Sequence, residues 1–145
     1  MASSQSETID YQYLPGPVGD LLRPAPYSTT ARIPISPSTF LIVTTGHIGL
    51  SLDDGSIITT TVETEFNAIF DCLDTALKHA GAKDGLFNAY RFTAYLTSAE
   101  YEGTMQAVFR SRWPGHAPTW TNVIVKSINV PEARAEINCE AAIFH

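Results

Sequence analysis

The sequence predicts an α+β fold: one mixed sheet with two helices packed on one of its faces, in the order β-β-α-β-α-β-β. Two stretches repeat apolar residues every three and four positions, the helical period. The other segments are rich in β-branched and aromatic residues. The last of them alternates cleanly, with Ile137, Cys139, Ala141 and Ile143 on one side and Glu136, Asn138 and Glu140 on the other. Two helices cover one face of such a sheet, so its other face must meet solvent or another subunit.

Residues 1–23 are polar and then rich in proline and glycine, and read as an N-terminal arm before a domain spanning 24–145. Thr30–Ile35 is a candidate first strand, and the run from Thr39 a second that ends near Gly46. Asp54-Gly55 marks the tip of a turn. The first helix has a capping-box spacing at Thr60 and Glu63, an apolar stripe of Val62, Phe66, Ile69, Phe70, Leu73 and Leu77, and Gly81 at its end. Leu86–Thr97 reads as the third strand. Ser98 caps a second helix whose apolar face is Tyr101, Met105, Val108 and Phe109, and Pro114-Gly115 stops it. Thr119–Ile128 is the fourth strand, Pro131 the turn after it, and Ala133–Phe144 the fifth.

The chain has 145 residues, the size of one domain, and at 44% hydrophobic it can build a core. A net charge of −6 with scattered Lys and Arg argues against nucleic acid as a partner. Cys72 and Cys139 belong to no metal-ligand pattern, so no metal is expected. No segment approaches the ~20 apolar residues of a membrane span, and the start lacks a secretory pattern; a soluble cytoplasmic protein with reduced thiols is the expectation.

Several segments, in order and spacing, resemble the RidA/YjgF/translation-inhibitor family (endoribonuclease L-PSP, reactive intermediate deaminase). "APYSTTARI" is similar to the family's Pro-Tyr-Ser entry into a strand, and "FLIVTTGHIGLSLDDGSI" to its strand, Ser-Gly-Gln turn and hairpin. "VETEFNAIFDCLDTALKHAGA", "AYLTSAEYEGTMQAVF", "WPGHAPTWTNVIV" and "AEINCEAA" resemble the blocks that follow, so the likeness covers most of the chain from Arg23 onward. It implies a chorismate-mutase-like fold, a homotrimer with clefts between subunits, and hydrolysis of reactive enamines and imines without metal or cofactor.

Carried over residue by residue, the resemblance places Tyr27 at the cleft, Gly46 at the backbone that lines it, Thr45 for the usual Ser, His47 for a usual Gln, and Gln106 for a usual Asn. The family's water-positioning Glu falls on Glu136, with Asn138 and Glu140 of the same strand parity as alternatives. Thr121 and Asn122 follow Trp120 on the strand and would also face substrate. The departure is Trp120. The family's deaminases carry an Arg there, whose planar guanidinium holds a carboxylate through two hydrogen bonds. An indole has one N–H and no charge.

Trp120 therefore has two readings, a subunit-interface filler or a flat wall for an apolar ligand. His47 reads either as a surface histidine or as a proton-transfer group, and Glu136 either as a solvated strand residue or as the catalytic acid–base. Two functions follow: an enzyme with altered substrate, in which Glu136, Tyr27 and His47 transfer protons for hydration, isomerisation, elimination or cyclisation, with a place in specialised metabolism suggested by the divergence alone, or a non-enzymatic trimer that binds a small ligand or a protein. Ribonuclease activity gains nothing from the acidic charge.

Overall fold

The computed structural model describes residues 8–145; the polar start of the arm, residues 1–7, lies outside the described residues. The elements are β1 (Asp10–Gln12), α1 (Pro17–Asp20), β2 (Thr30–Ser36), β3 (Thr39–Thr44), α2 (Val62–His79), β4 (Ala89–Leu96), α3 (Glu102–Arg112), β5 (Thr119–Ile124) and β6 (Ala135–Phe144). The strands make one six-stranded mixed sheet in the order β1-β2-β3-β6-β4-β5, antiparallel except for the β4–β5 pair. That parallel pair is joined through α3, as a parallel pair must be joined by a crossover.

The α2 stripe behaves as its spacing predicts. Phe66, Ile69, Phe70, Leu73 and Leu77 are buried together with Phe92, Ala94, Leu96, Ile137 and Cys139 from the sheet and Met105, Val108 and Phe109 from α3. β6 keeps its alternation, buried at every second residue from Ala135 to Ile143. Both long helices thus lie on one face of the sheet. Across the strands, Ala31 pairs with Val43 and Val43 with Glu140, while Ile33 pairs with Leu41 and Leu41 with Ala142. Those side chains form the opposite face, which no helix covers.

Boundaries differ from the sequence expectation where side-chain chemistry shifts them. Thr61, not Thr60, caps α2. Its hydroxyl accepts from the Thr64 backbone N–H at 3.0 Å while Thr64 Oγ1 accepts from Thr61 N at 3.0 Å, so a threonine replaces Glu63 in the reciprocal pair. Glu63 remains in the first turn, where a negative charge meets the positive end of the helix. Gly81 leaves the helix at φ +114, a conformation open to glycine. Leu86 and Phe87 belong to a 3₁₀ turn, not a strand, because Gly85 turns at φ +56 and the Leu86 N–H donates to Asp74 Oδ1 at 2.9 Å. Ser98 caps a 3₁₀ turn (Ala99–Tyr101) that leads into α3. The sheet loses β5 after Ile124, once the Val125 N–H has reached Leu96 O at 2.8 Å.

The larger difference lies before Thr30. The part of the arm from residue 8 adds a strand and a short helix to the expected order. β1 pairs with β2, and Leu14 and Val18 are buried against Cys72. The Leu14 N–H donates to Thr29 Oγ1 at 3.0 Å. This places α1 beside the loop that leaves β3.

Candidate active site

Two loops and the start of β6 meet at Glu136. β3 ends at Thr44, and the chain continues through Thr45 and Gly46 to His47, which bridges to Ile137 through both backbone groups, at 2.9 and 3.0 Å. This bridge sets Gly46 against the Glu136 side chain: a Cβ on Gly46 would lie 2.6 Å from Glu136 Oε2. On its other side, β6 is fixed by a half-buried ion pair. Glu65 of α2 is 1% exposed, receives the Arg134 backbone N–H at 2.7 Å and pairs with Arg134 Nη1 at 2.8 Å. Glu136 is two residues further on.

Glu136 is half-buried, and burial raises its pKa above the ordinary carboxylate value. It borders a cavity of about 420 Å³ that also takes in Gly46 and His47. A second, smaller hollow of about 170 Å³ is also lined by Glu136, with Tyr95 and Asn129. His47 is only 4% exposed, so it is not a surface histidine. Its Nδ1 lies 3.0 Å from the Thr45 carbonyl, which can only accept, so the proton sits on Nδ1 and leaves Nε2 bare in the neutral ring. Burial depresses its pKa, against the smaller opposing effect of that hydrogen bond. His47 is the bridge partner of Ile137, so its imidazole follows that side chain toward the helix face, away from Glu136.

Trp120 lies elsewhere. β4 and β5 pair Phe92 with Trp120, so the indole points to the helix face. It stacks on Phe92 at 4.3 Å and 12°, meets Phe109 edge-on at 5.1 Å, and donates from Nε1 to Asn122 Oδ1 at 2.9 Å. Glu136 pairs with Tyr95, whose β5 neighbour is Val123, on the opposite face of the sheet. Within the chain the two residues do not share a cleft. Trp120 instead walls a separate hollow of about 380 Å³ with Gln106, Asn122, His116, Pro118 and Arg110.

The remaining expected residues divide between these places. Thr45 is half-buried and its N–H donates to Thr29 O at 2.9 Å. Tyr27 is 58% exposed and lines neither hollow. Thr121 pairs with Thr93, and Asn138 also pairs with Thr93, both on the uncovered face. Glu140 lies there too, 3.9 Å from Arg91 Nη1; burial, with a smaller effect of the Glu140 charge, raises the Tyr90 pKa. Cys72 and Cys139 are buried thiols, pushed up to about 11 and about 12. Among the described residues no cluster of His, Cys, Asp and Glu could hold a metal, and no helix is long and apolar enough to cross a membrane.

The sequence reading did not single out Arg110 or the Leu21-Leu22 doublet. Arg110 is one helical turn from Gln106, so it shares its side of α3, and it has no ion-pair partner among the described residues. The i, i+4 spacing was the available signal. The doublet lines the Glu136 cavity, and nothing local marks it as more than part of an arm.

A model of the endoribonuclease L-PSP family matches residues 22–143. The chain belongs to this family. Solved structures carry the same fold at low identity. A member of the YjgF/YER057c/UK114 family from Mycobacterium tuberculosis is 18% identical, with 94% of this chain and 100% of that one covered, at a TM-score of 0.73. Yeast Mmf1 is 16% identical, with 95% and 100% covered and a TM-score of 0.74. RidA from an Antarctic Psychrobacter is 16% identical, with 82% and 89% covered and a TM-score of 0.70. No curated protein matches the chain. The family match starts at Leu22, so β1 and α1 lie before it.

Proposed function

We propose that this family member is a cofactor-independent small-molecule enzyme with an altered substrate, using Glu136 for acid–base chemistry in clefts completed between the subunits of a homotrimer. The observation that carries the reading is Glu136 itself: a half-buried carboxyl with a raised pKa, held against the Gly46 backbone and bordering a cavity of small-molecule size. Glu136, not Asn138 or Glu140, is the acid–base group, because it alone of the three borders the cavity. A positioned carboxyl contributes ~10²–10⁴-fold to a proton-transfer step.

Glu136 and Trp120 lie on opposite faces of one sheet. That supports a cleft made by the Glu136 side of one subunit and the Trp120 side of the next, with the uncovered sheet face inside the assembly. Hydration, isomerisation, elimination and cyclisation all fit the groups present. Hydrolysis of amino-acid-derived imines fits less well, because Trp120 stands where the family's arginine would hold the carboxylate. The test is ammonia release from 2-iminopropionate by the wild type and by Trp120→Arg. The altered-substrate reading expects an inactive wild type and an active variant. Acceleration by the wild type overturns it and points to Arg110 as the carboxylate partner.

A non-enzymatic trimer is the second reading, and the stacking of Trp120 on Phe92 favours it, since a side chain so well packed needs no ligand. A panel of enamines and enones, with turnover followed by loss of their ultraviolet absorbance, decides between them: turnover of none favours the non-enzymatic reading.

A further inference from the structure

Glu65 is buried on α2, a helix whose other buried residues are all apolar. Both of its carboxylate oxygens bind one residue, Arg134. Oε2 accepts the Arg134 backbone N–H at 2.7 Å, and Oε1 accepts from Arg134 Nη1 at 2.8 Å. The same Nη1 donates to the Thr59 carbonyl at 3.0 Å. On its other backbone side, the Arg134 carbonyl accepts the Thr97 N–H at 2.9 Å, just past β4.

Glu65 also supports the cavity wall. A Cβ on Gly49 would lie 3.0 Å from Glu65 Cγ, and the Gly49 carbonyl accepts the Ile58 N–H at 2.9 Å. Beside this bond Leu50 bridges Ile57, and both line the cavity that Glu136 borders. The ion pair thus joins α2, the loop 49–59 and the start of β6, two residues from Glu136.

An ion pair with one partner buried so deeply adds little net stability, because desolvation offsets its attraction. A leucine at position 65 would extend the apolar side of α2 without that cost. What the carboxylate supplies, and a leucine does not, is direction: bonds that hold one residue in one place. β6 needs this, because its alternation survives a slip of two residues, which would bring Arg134 or Asn138 to the place of Glu136.

We propose that Glu65 is a positioning residue for Glu136: through Arg134 it holds the start of β6 and the loop 49–59 together, and so keeps the Glu136 carboxyl half-buried against Gly46. The inference rests on the reading of Glu136 as the acid–base group. Every bond in it lies within the chain, whatever completes the cleft.

The test is Glu65→Leu/Arg134→Met in the full-length protein, which removes the pair without changing net charge or leaving an unpaired ion. The Glu136 carboxyl is followed by its ¹³C chemical shift against pH. Its midpoint should fall toward the ordinary carboxylate value by about half a pH unit or more, as water reaches a carboxyl no longer held in place. Val108→Ala, a core truncation on α3, should lower stability to urea and leave that midpoint where it is. A double variant that is less stable but titrates as the wild type does would give Glu65 a merely structural role and overturns the proposal. An equal shift in Val108→Ala overturns it too, since loosening anywhere would then suffice. Glu65→Gln/Arg134→Met, which keeps an acceptor for the backbone N–H of residue 134, is read the same way if the first variant does not fold. The Glu136 reading is tested apart, by turnover of the enamine and enone panel in the wild type and in Glu136→Gln. Turnover that ignores Glu136 removes the chemistry and leaves the positioning of the carboxyl standing.

Discussion

Gly46 and Glu136 stand so close that the glycine's missing side chain is the space the carboxyl occupies: an added Cβ would lie 2.6 Å from Oε2, 2.8 Å from Cδ and 2.9 Å from Cγ. Gly46 has no positive φ, so the need is for room and not for backbone freedom. The obstacle to a larger residue is a flexible side chain, which can swing away.

Gly46→Ala should therefore fold with a loss of about 1 kcal/mol or less, while displacing the Glu136 carboxyl from its half-buried place. Freed into the cleft, the carboxyl should titrate closer to its ordinary value, because the burial that raises its pKa is relieved. Carboxyl ¹³C chemical shifts followed against pH check this. A Glu136 titration identical in both proteins would show that the glycine does not set its environment.

Trp120 stabilises the helix face through Phe92, Phe109 and Phe70. Trp120→Ala should cost about 3 kcal/mol, the low end for aromatic truncations because the ring is only partly buried. Trp120→Phe should cost about 1 kcal/mol, since it keeps the stack and loses the hydrogen bond to Asn122. Urea unfolding measures both. A Trp120→Ala protein as stable as the wild type would mean that the indole is held for a ligand rather than for packing.

His47 makes stability depend on pH with a definite sign. Its folded pKa lies below the 6.5 of the free group. As pH falls through that value the unfolded chain takes a proton that the folded one resists, so stability is complete above about 6.5 and declines below it. Glu136 acts in the opposite sense, its raised pKa favouring the folded state as pH falls toward the ordinary carboxylate range. His47→Asn keeps a donor for the Thr45 carbonyl and removes the titration. Unfolding free energies at pH 5 and pH 7 should differ less in the variant. An equal difference in both proteins would show that His47 takes up its proton without penalty.

Much of this protein follows from local pattern. The stripe from Phe66 to Leu77 and the alternation from Ala135 to Ile143 fixed the two packed layers, because each side chain's direction is set by the period of its own element. The same parity argument put Glu136, Asn138 and Glu140 on one face. The sequence could not separate them, since only Gly46, some ninety residues earlier in the chain, sets Glu136 apart. Nor could it show that Trp120 and Glu136 point away from each other, that His47 is buried, or that the arm folds back to wall the cavity. Each of these depends on how strands distant in sequence are registered and on which loops their ends bring together. Those choices are made by packing of the whole chain, and no short window of residues contains them.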